Sequence, residues 1–461
     1  MFKLHADCLK EILEYLEDDG NTLYSCLLVN RLWCVISVKI LWRSIRNYRT
    51  LITSLPDESK KILIENGISI TTSKPLLFNY VIFCRCISYH ELNINIERLL
   101  KKQQSISILQ SSKDNIKQEI IKFLMRQIIS LRKLIIPIEF STEKNMKTFT
   151  THLKSRNRLL NDLSELHFYT DTYPKFIHQL IKVCHNIQTL KITSNFEVIS
   201  NEYIDLISVQ KNLKYLYLKE FSFPECKNLL TKIPNTLIKF ALLNGTSDGY
   251  RVLCEINNLS NLQEFEFSYY NYNAFNDDWW DCSNILEGKL SCLNEFYCPV
   301  SFLIKFLENN GENLKRIHLN KNYHALNHSI CENCKNVRIL NIELTNISLF
   351  QLSQFFEYLP FLESVKINMY SQSRIKENRL LGFVAKKSPK NFCELKLIYC
   401  DNMKSTLIPE ELELFLTSWG NRVPKKLLSL VITGPNSFIE NDGNMKVIEK
   451  YIILGTIKLV N

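Results

Sequence analysis

Apolar positions along this chain recur in one local arrangement, apolar-x-x-apolar-x-apolar, which neither helical nor strand periodicity produces alone. From residue 131 it occurs at Leu131-Leu134-Ile136, Leu163-Leu166-Phe168, Ile187-Leu190-Ile192, Leu213-Leu216-Leu218, Leu237-Phe240-Leu242 and Leu262-Phe265-Phe267. It continues at Leu293-Phe296-Cys298, Leu314-Ile317-Leu319, Val337-Leu340-Ile342, Leu362-Val365-Ile367, Phe392-Leu395-Leu397 and Leu427-Leu430-Ile432. Any one match arises by chance roughly one time in ten. The spacing carries the weight: successive starts lie 21 to 35 residues apart, most of them 23 to 26. Asparagine stands immediately before the first apolar position at Asn186, Asn212, Asn261, Asn313, Asn336 and Asn391.

Between these matches the apolar spacing becomes helical, as at Phe176, Ile177, Leu180 and Ile181. Phe302, Leu303, Phe306 and Leu307 follow the same rule, as do Leu349, Leu352, Phe355, Phe356 and Leu359 before Pro360. Strand, turn and helix at a period near 25 residues predict an α/β leucine-rich solenoid with a parallel sheet. One such repeat has nowhere to bury its apolar face, so many must stack.

The first 46 residues follow a different pattern. Cys8, Leu9, Ile12, Leu13 and Leu16 mark one face of a short helix, which Asp18-Asp19-Gly20-Asn21 breaks. A second apolar run, Leu23, Cys26, Leu27 and Val29, leads to Trp33, and a third to Ile40, Leu41 and Trp42. Asp7, Glu11, Glu14, Glu17, Asp18 and Asp19 crowd the first half, and Arg31, Lys39, Arg43 and Arg46 the second. Three helices this short make a poor core unaided, so part of their apolar surface is expected to meet a partner or the rest of the chain. Residues 47–130 predict a connector that also starts the solenoid. Phe78–Ile87 is strand-like, Leu92–Leu100 and Ile116–Ile129 are helical, and Lys101–Asn115 is a polar loop.

Composition narrows the function. The 461 residues are 46% apolar and 23% charged, the balance of a folded protein. Glycine is scarce, at 11 residues, and neither a G-x-G cradle nor a P-loop occurs, which removes the common nucleotide-binding folds. The net charge of +10 is spread along the chain, so nucleic acid is not an expected partner. An RNA-binding solenoid remains the weakest of three readings. No apolar run of about 18 residues predicts a membrane span. Fifteen cysteines scattered through a long chain, behind an acidic N-terminal stretch, predict reduced thiols in a cytoplasmic or nuclear protein.

Leu4-x-x-x-x-Leu9-x-x-Ile12-Leu13-x-x-Leu16, then Leu23-x-x-Cys26-x-x-Val29-Asn30-Arg31-x-Trp33, then Leu41-Trp42, resembles the F-box. The family pattern opens with Leu-Pro, where this chain has Leu4-His5. Cys184 and Cys334, three residues before a first apolar position, resemble the cysteine-containing repeats that F-box proteins often carry. The chain thus resembles a fungal-type F-box/leucine-rich-repeat protein. The resemblance implies a small three-helix F-box (1–46), a connector and N-terminal part of the solenoid (47–130) and a curved leucine-rich-repeat solenoid (131–461). It also implies a non-enzymatic subunit that docks on a Skp-type adaptor, and through it on a cullin–RING ubiquitin ligase, while the repeats hold an unknown protein substrate. Leu4, Leu9, Ile12, Leu13, Leu16, Leu23, Val29, Asn30 and Trp33 would then form or support the adaptor face. The alternative is a leucine-rich-repeat scaffold without a ligase, its N-terminal helices serving as a cap.

The x positions of each repeat point away from the core and predict the substrate surface: Tyr215, Tyr217, Glu264, Glu266, Arg316, His318, Arg338 and Asn341, with Lys214 and Lys366. Their mixed charge, more basic in the later repeats, fits a protein segment better than a phosphate backbone. An aromatic insertion with Trp279 and Trp280 adds candidate anchors. Cys331-x-x-Cys334 lacks a second such pair, and Cys334 stands at the repeat cysteine position, so both read as core residues rather than zinc ligands. Cys84 and Cys86 are expected to share one strand face. No G-x-S-x-G or H-E-x-x-H occurs, and no catalytic residue, metal or cofactor is expected.

Overall fold

The described occurrences of the apolar pattern coincide with short β-strands, and in most of them a turn leads into the strand. In seven repeats the N–H of the first apolar residue bonds the carbonyl three residues upstream: Leu163 to Leu160, Leu237 to Pro234, Leu262 to Leu259, Leu314 to Gly311, Val337 to Cys334, Leu362 to Leu359 and Phe392 to Pro389. The turn rotates the chain so that this residue and the alternate residues of the strand all face inward. Leu213, Leu216 and Leu218 are fully buried in this way, as are Leu314 and Ile317.

The computed structural model describes residues 5–45, 47–70, 76–102, 110–136, 157–170, 172, 174–194, 201–220, 232–245, 259–269, 300–319, 323–342, 349–370, 376–400 and 403–460. The chain forms two units, Met1–Leu213 and Lys214–Asn461. In the first, strands β1 (Cys86–Ser88), β2 (Lys133–Ile135), β3 (Glu165–Tyr169) and β4 (Thr189–Thr193) pair in parallel and in chain order. The second holds β5 (Tyr215–Lys219), β6 (Lys239–Gly245), β7 (Glu264–Tyr269), β8 (Arg316–Leu319) and β9 (Ile339–Ile342). It continues through β10 (Ser364–Met369), β11 (Glu394–Tyr399), β12 (Leu428–Thr433) and β13 (Ile457–Val460), again parallel and in chain order. Parallel neighbours need a crossover, which helices such as His324–Asn333, Leu349–Tyr358 and Glu377–Lys387 supply. Repeats approach closely at Gly311, where a Cβ would lie 2.7 Å from the Asn333 carbonyl oxygen and 2.9 Å from Cys334 Sγ.

Before all of this stand three helices, α1 (Ala6–Glu14), α2 (Gly20–Cys26) and α3 (Arg31–Leu41). They enclose a core of Leu9, Leu13, Leu23, Cys26, Ile36, Ile40 and Leu41, with Leu16, Leu27, Trp33 and Trp42 packed against it. Asp19 caps α2 through the Thr22 N–H, and Asn30 caps α3 through the Trp33 N–H at 3.1 Å. The acidic and basic halves of this segment meet, since Arg43 donates to Glu14 at 2.8 Å and to Glu17.

Four expectations change. Cys84 and Cys86 do not share a face: Cys84-Ile87-Tyr89 is one more copy of the apolar pattern, with Cys84 and Tyr89 fully buried and Cys86 only half-buried. The polar stretch before Asn115 is not all loop, because the helix Gln110–Gln127 begins there, drawn in by the buried ridge Ile116, Ile120 and Leu124. Leu427 is exposed and does not fill a first apolar position; β12 starts directly at buried Leu428 and alternates from there through Leu430 and Ile432. Two strands, β1 and β13, lie outside the matches counted from residue 131.

Candidate protein-binding surfaces

The nine candidate adaptor residues do not share one surface. Leu9, Leu13 and Leu23 are interior to the three-helix core. Leu16 and Trp33 are partly buried against it, and Asn30 is an exposed helix cap. Ile12 and Val29 are the exposed apolar residues among the eight that are described, at 52% and 56%. Leu4 lies outside the described residues. The pattern match had passed over stronger candidates, Tyr15 at 92% and Leu28 at 88%, with Tyr24, Leu32 and Val35 also exposed. The sequence does hold a signal for them: Tyr15 is three residues after Ile12, and Val35 three after Leu32, so each pair shares a helix face. Removing one such side chain from water is worth about 1.5–3 kcal/mol.

His5 stands where the resembled family has proline, and its backbone takes φ −63°, the angle a proline ring would impose. Its Nδ1 accepts the Asp7 N–H at 3.4 Å, so the imidazole contributes a weak cap to α1.

In the second unit the strand residues turned away from the core align in two rows. One row runs Tyr215, Lys239, Glu264, Arg316, Ile339, Ser364, Glu394 and Ser429. The other runs Tyr217, Ala241, Glu266, His318, Asn341, Lys366, Lys396 and Val431. Seven of the ten candidate substrate residues therefore stand on these two rows, on β5, β7, β8 and β9. Arg338 does not join them: it precedes β9, in the turns, and pairs there with Glu363 at 3.1 Å. Trp279 and Trp280 lie outside the described residues.

These rows neutralise themselves on their early strands. Lys239 Nζ lies 2.8 Å from Glu266 and 3.9 Å from Glu264, and 5.2 Å above the Tyr217 ring. Burial opposes the ammonium charge, but the hydrogen bond and charge of Glu266 outweigh it and raise the Lys239 pKa above its ordinary value. Arg316 reaches Glu264 at 3.4 Å. Burial, with the nearby Lys239 and Arg316 charges, lowers the His318 pKa against the pull of Glu266 and Glu264. A neutral His318 Nδ1 can then accept the Asn341 amide N–H at 3.0 Å.

The first unit has a smaller counterpart. Glu165 Oε1 lies 2.8 Å from His167 Nε2 and 3.0 Å from Lys133 Nζ. The His167 hydrogen bond, aided by Lys133, holds the Glu165 carboxyl down at about 2 despite partial burial. Cys84 and Cys184 in the first unit and Cys331 and Cys334 in the second are buried core residues. Burial pushes the Cys84 and Cys184 thiols up to about 12, Cys331 to about 11 and Cys334 higher still, which disfavours the thiolate needed for nucleophilic or metal chemistry. Among the described residues no group of three His, Cys, Asp or Glu is placed to hold a metal ion.

No family model matches the chain, and no curated protein matches it. A solved structure described as the crystal structure of the Rad7 and Elc1 complex in yeast is similar over 100% of this chain and 98% of that chain, at 13% sequence identity and a TM-score of 0.39.

Proposed function

We propose that this chain is the substrate-recognition subunit of an SCF-type cullin–RING ubiquitin ligase and carries no catalytic chemistry itself. Its three N-terminal helices dock on a Skp-type adaptor, and the outward rows of the repeats hold a protein substrate. One observation carries the reading: the helical module completes its own core and still leaves Ile12, Tyr15, Leu28 and Val29 in water. Large exposed apolar side chains gathered within 18 residues mark a protein interface. The resemblance of this segment to the F-box gives the interface its partner.

A second reading has its own support. The Arg43 carbonyl, just past α3, accepts the N–H groups of Arg85 and Cys86 at 2.8 and 2.9 Å, so the module also closes the open edge at β1. On this reading the helices are a cap and the chain is a binding scaffold.

Capture of the full chain by a purified Skp-type adaptor separates the two. The wild type is expected to bind, and Ile12→Asp and Val29→Asp to lose at least about tenfold in affinity with unchanged circular dichroism. Failure of the folded wild type to bind overturns the ligase reading in favour of the scaffold.

A further inference from the structure

A cavity of about 400 Å³ lies where the helical module meets the first repeats, between α1, α3 and the turns that lead into β1 and β2. Five cations line it: Lys10 of α1, Lys39 of α3, Arg43 just after α3, and Arg85 and Arg132 in the turns. Main-chain pairing stacks the three arginines. The Arg43 carbonyl accepts from Arg85 and Cys86, and the Arg85 carbonyl accepts the N–H groups of Arg132 and Lys133 at 2.7 and 3.0 Å. Arg43, Arg85 and Arg132 thus occupy one position in three successive layers, about 4.8 Å apart, where like charges repel.

Carboxylates answer only part of this charge. Arg43 has Glu14 at 2.8 Å and Glu17. The other acid of the lining, Asp7, is exposed and lies 3.4 Å from His5. Half-buried Arg85 donates through Nη1 to the Ile82 and Cys84 carbonyls, both at 3.0 Å, and its Nε and Nη2 edge has no partner among the described residues. Lys10, Lys39 and Arg132 make no ion pair among those residues. Buried Ile36 and Ile40, with Phe83, form an apolar wall, and a low-dielectric wall focuses the field of one-signed charge into the cleft.

The occupant must be compact and carry several negative charges. An extended peptide finds no strand edge here, because the carbonyls of Arg43, Arg85 and Arg132 are all committed to strand N–H groups. A nucleic-acid strand fits poorly, since the cations converge on one cavity instead of tracking a groove, and Glu14 and Glu17 border it. Guanidinium forks match phosphate oxygens in pairs. We propose that this cavity binds a small soluble molecule bearing two or more phosphate groups, held by Arg85 and Arg132 and closed upon by Lys10 and Lys39. Helical spacing sets Asp7, Lys10 and Glu14 on the side of α1 roughly opposite Ile12 and Tyr15, so the site is independent of the adaptor reading.

Calorimetric titration of the full chain with inorganic phosphate, pyrophosphate, tripolyphosphate, sulfate and a short phosphoserine peptide, at matched ionic strength, tests the assignment. Saturable binding of one tripolyphosphate per chain is expected, at least about tenfold tighter than phosphate or sulfate. Arg132→Glu and Lys10→Glu, both at exposed positions, should each cost about tenfold in tripolyphosphate affinity with unchanged circular dichroism. Arg132→Lys should lose less than Arg132→Glu, and Lys446→Glu, exposed on the helix Asp442–Ile453, should change nothing. Absence of saturable binding, equal affinity for sulfate and tripolyphosphate, or affinity unmoved by both reversals overturns the site. Tighter binding of the phosphopeptide than of tripolyphosphate overturns the small ligand and gives the cavity to a phosphoprotein. Adaptor capture, read on the same variants, reports the opposite side of α1, so loss of one reading is not mistaken for loss of the other.

Discussion

The N-terminal helices and the later repeats use the same apolar residue types to opposite ends. Among the described residues from β5 to β12 the apolar positions of the pattern are buried, with Leu427 exposed. Each repeat lays its inward row on the next, as Phe265 does on Phe306 at 4.3 Å and on Phe240 at 6.1 Å between ring centroids. The three helices have no neighbour of their own kind. Seven core residues are enclosed, and Ile12, Tyr15, Leu28 and Val29 remain in water. A translational fold satisfies apolar surface by adding copies. A closed module of about 40 residues has too little interior for that, and the surplus is available for a partner.

That contrast can be broken most severely inside the repeats. Phe265→Ala removes a fully buried ring from a three-phenylalanine contact and is expected to cost about 3–5 kcal/mol, read as a lowered urea midpoint. Leu23→Ala, fully buried in the helical core, should cost about 2–5 kcal/mol, with fast hydrogen exchange confined to residues 5–45 if the module unfolds by itself. Spread of that exchange into β1–β4 would show instead that the helices and the first repeats fold as one.

A smaller effect separates charge from packing. Glu165 has a folded-state pKa of about 2, below its ordinary value, so the stability it contributes is full above the unfolded pKa near 4.5 and is lost as pH falls toward 2. Glu165→Gln should therefore lower the neutral plateau and flatten the stability profile in that acid window, so that the two proteins converge toward pH 2, as followed by thermal melts. The smallest change sharpens the comparison at its edge. His5 already holds the backbone angle of a proline, so His5→Pro should shift stability by no more than about 1 kcal/mol, gaining from a stiffer unfolded chain and losing the 3.4 Å cap.

Repeat architecture was legible because three apolar residues and a turn specify each strand locally. Strand-like composition marks 78–87, yet the repeat rule misses its pattern at β1, where Cys84 and Tyr89 fill apolar positions and look polar or reactive on paper. It misplaced the start of β12 by counting exposed Leu427. In the N-terminal segment the pattern identified helix-forming apolar residues but could not divide them: Leu9, Leu13 and Leu23 went inside, while Ile12 and Val29 stayed out. A helical stripe of five apolar residues is wider than the face one neighbour covers, and the crossing of α1, α2 and α3 chooses among them.

Composition, period and turn chemistry thus determined by themselves that this chain is a parallel α/β repeat array behind a short helical segment, since each depends on residues no more than 35 positions apart. Which side chains face solvent, and which charges meet, was decided only by the tertiary structure. Lys366 and Lys396 are 30 residues apart in sequence and adjacent in the sheet. No local spacing announces that juxtaposition, because strand register joins residues one whole repeat apart, and the repeats here vary in length.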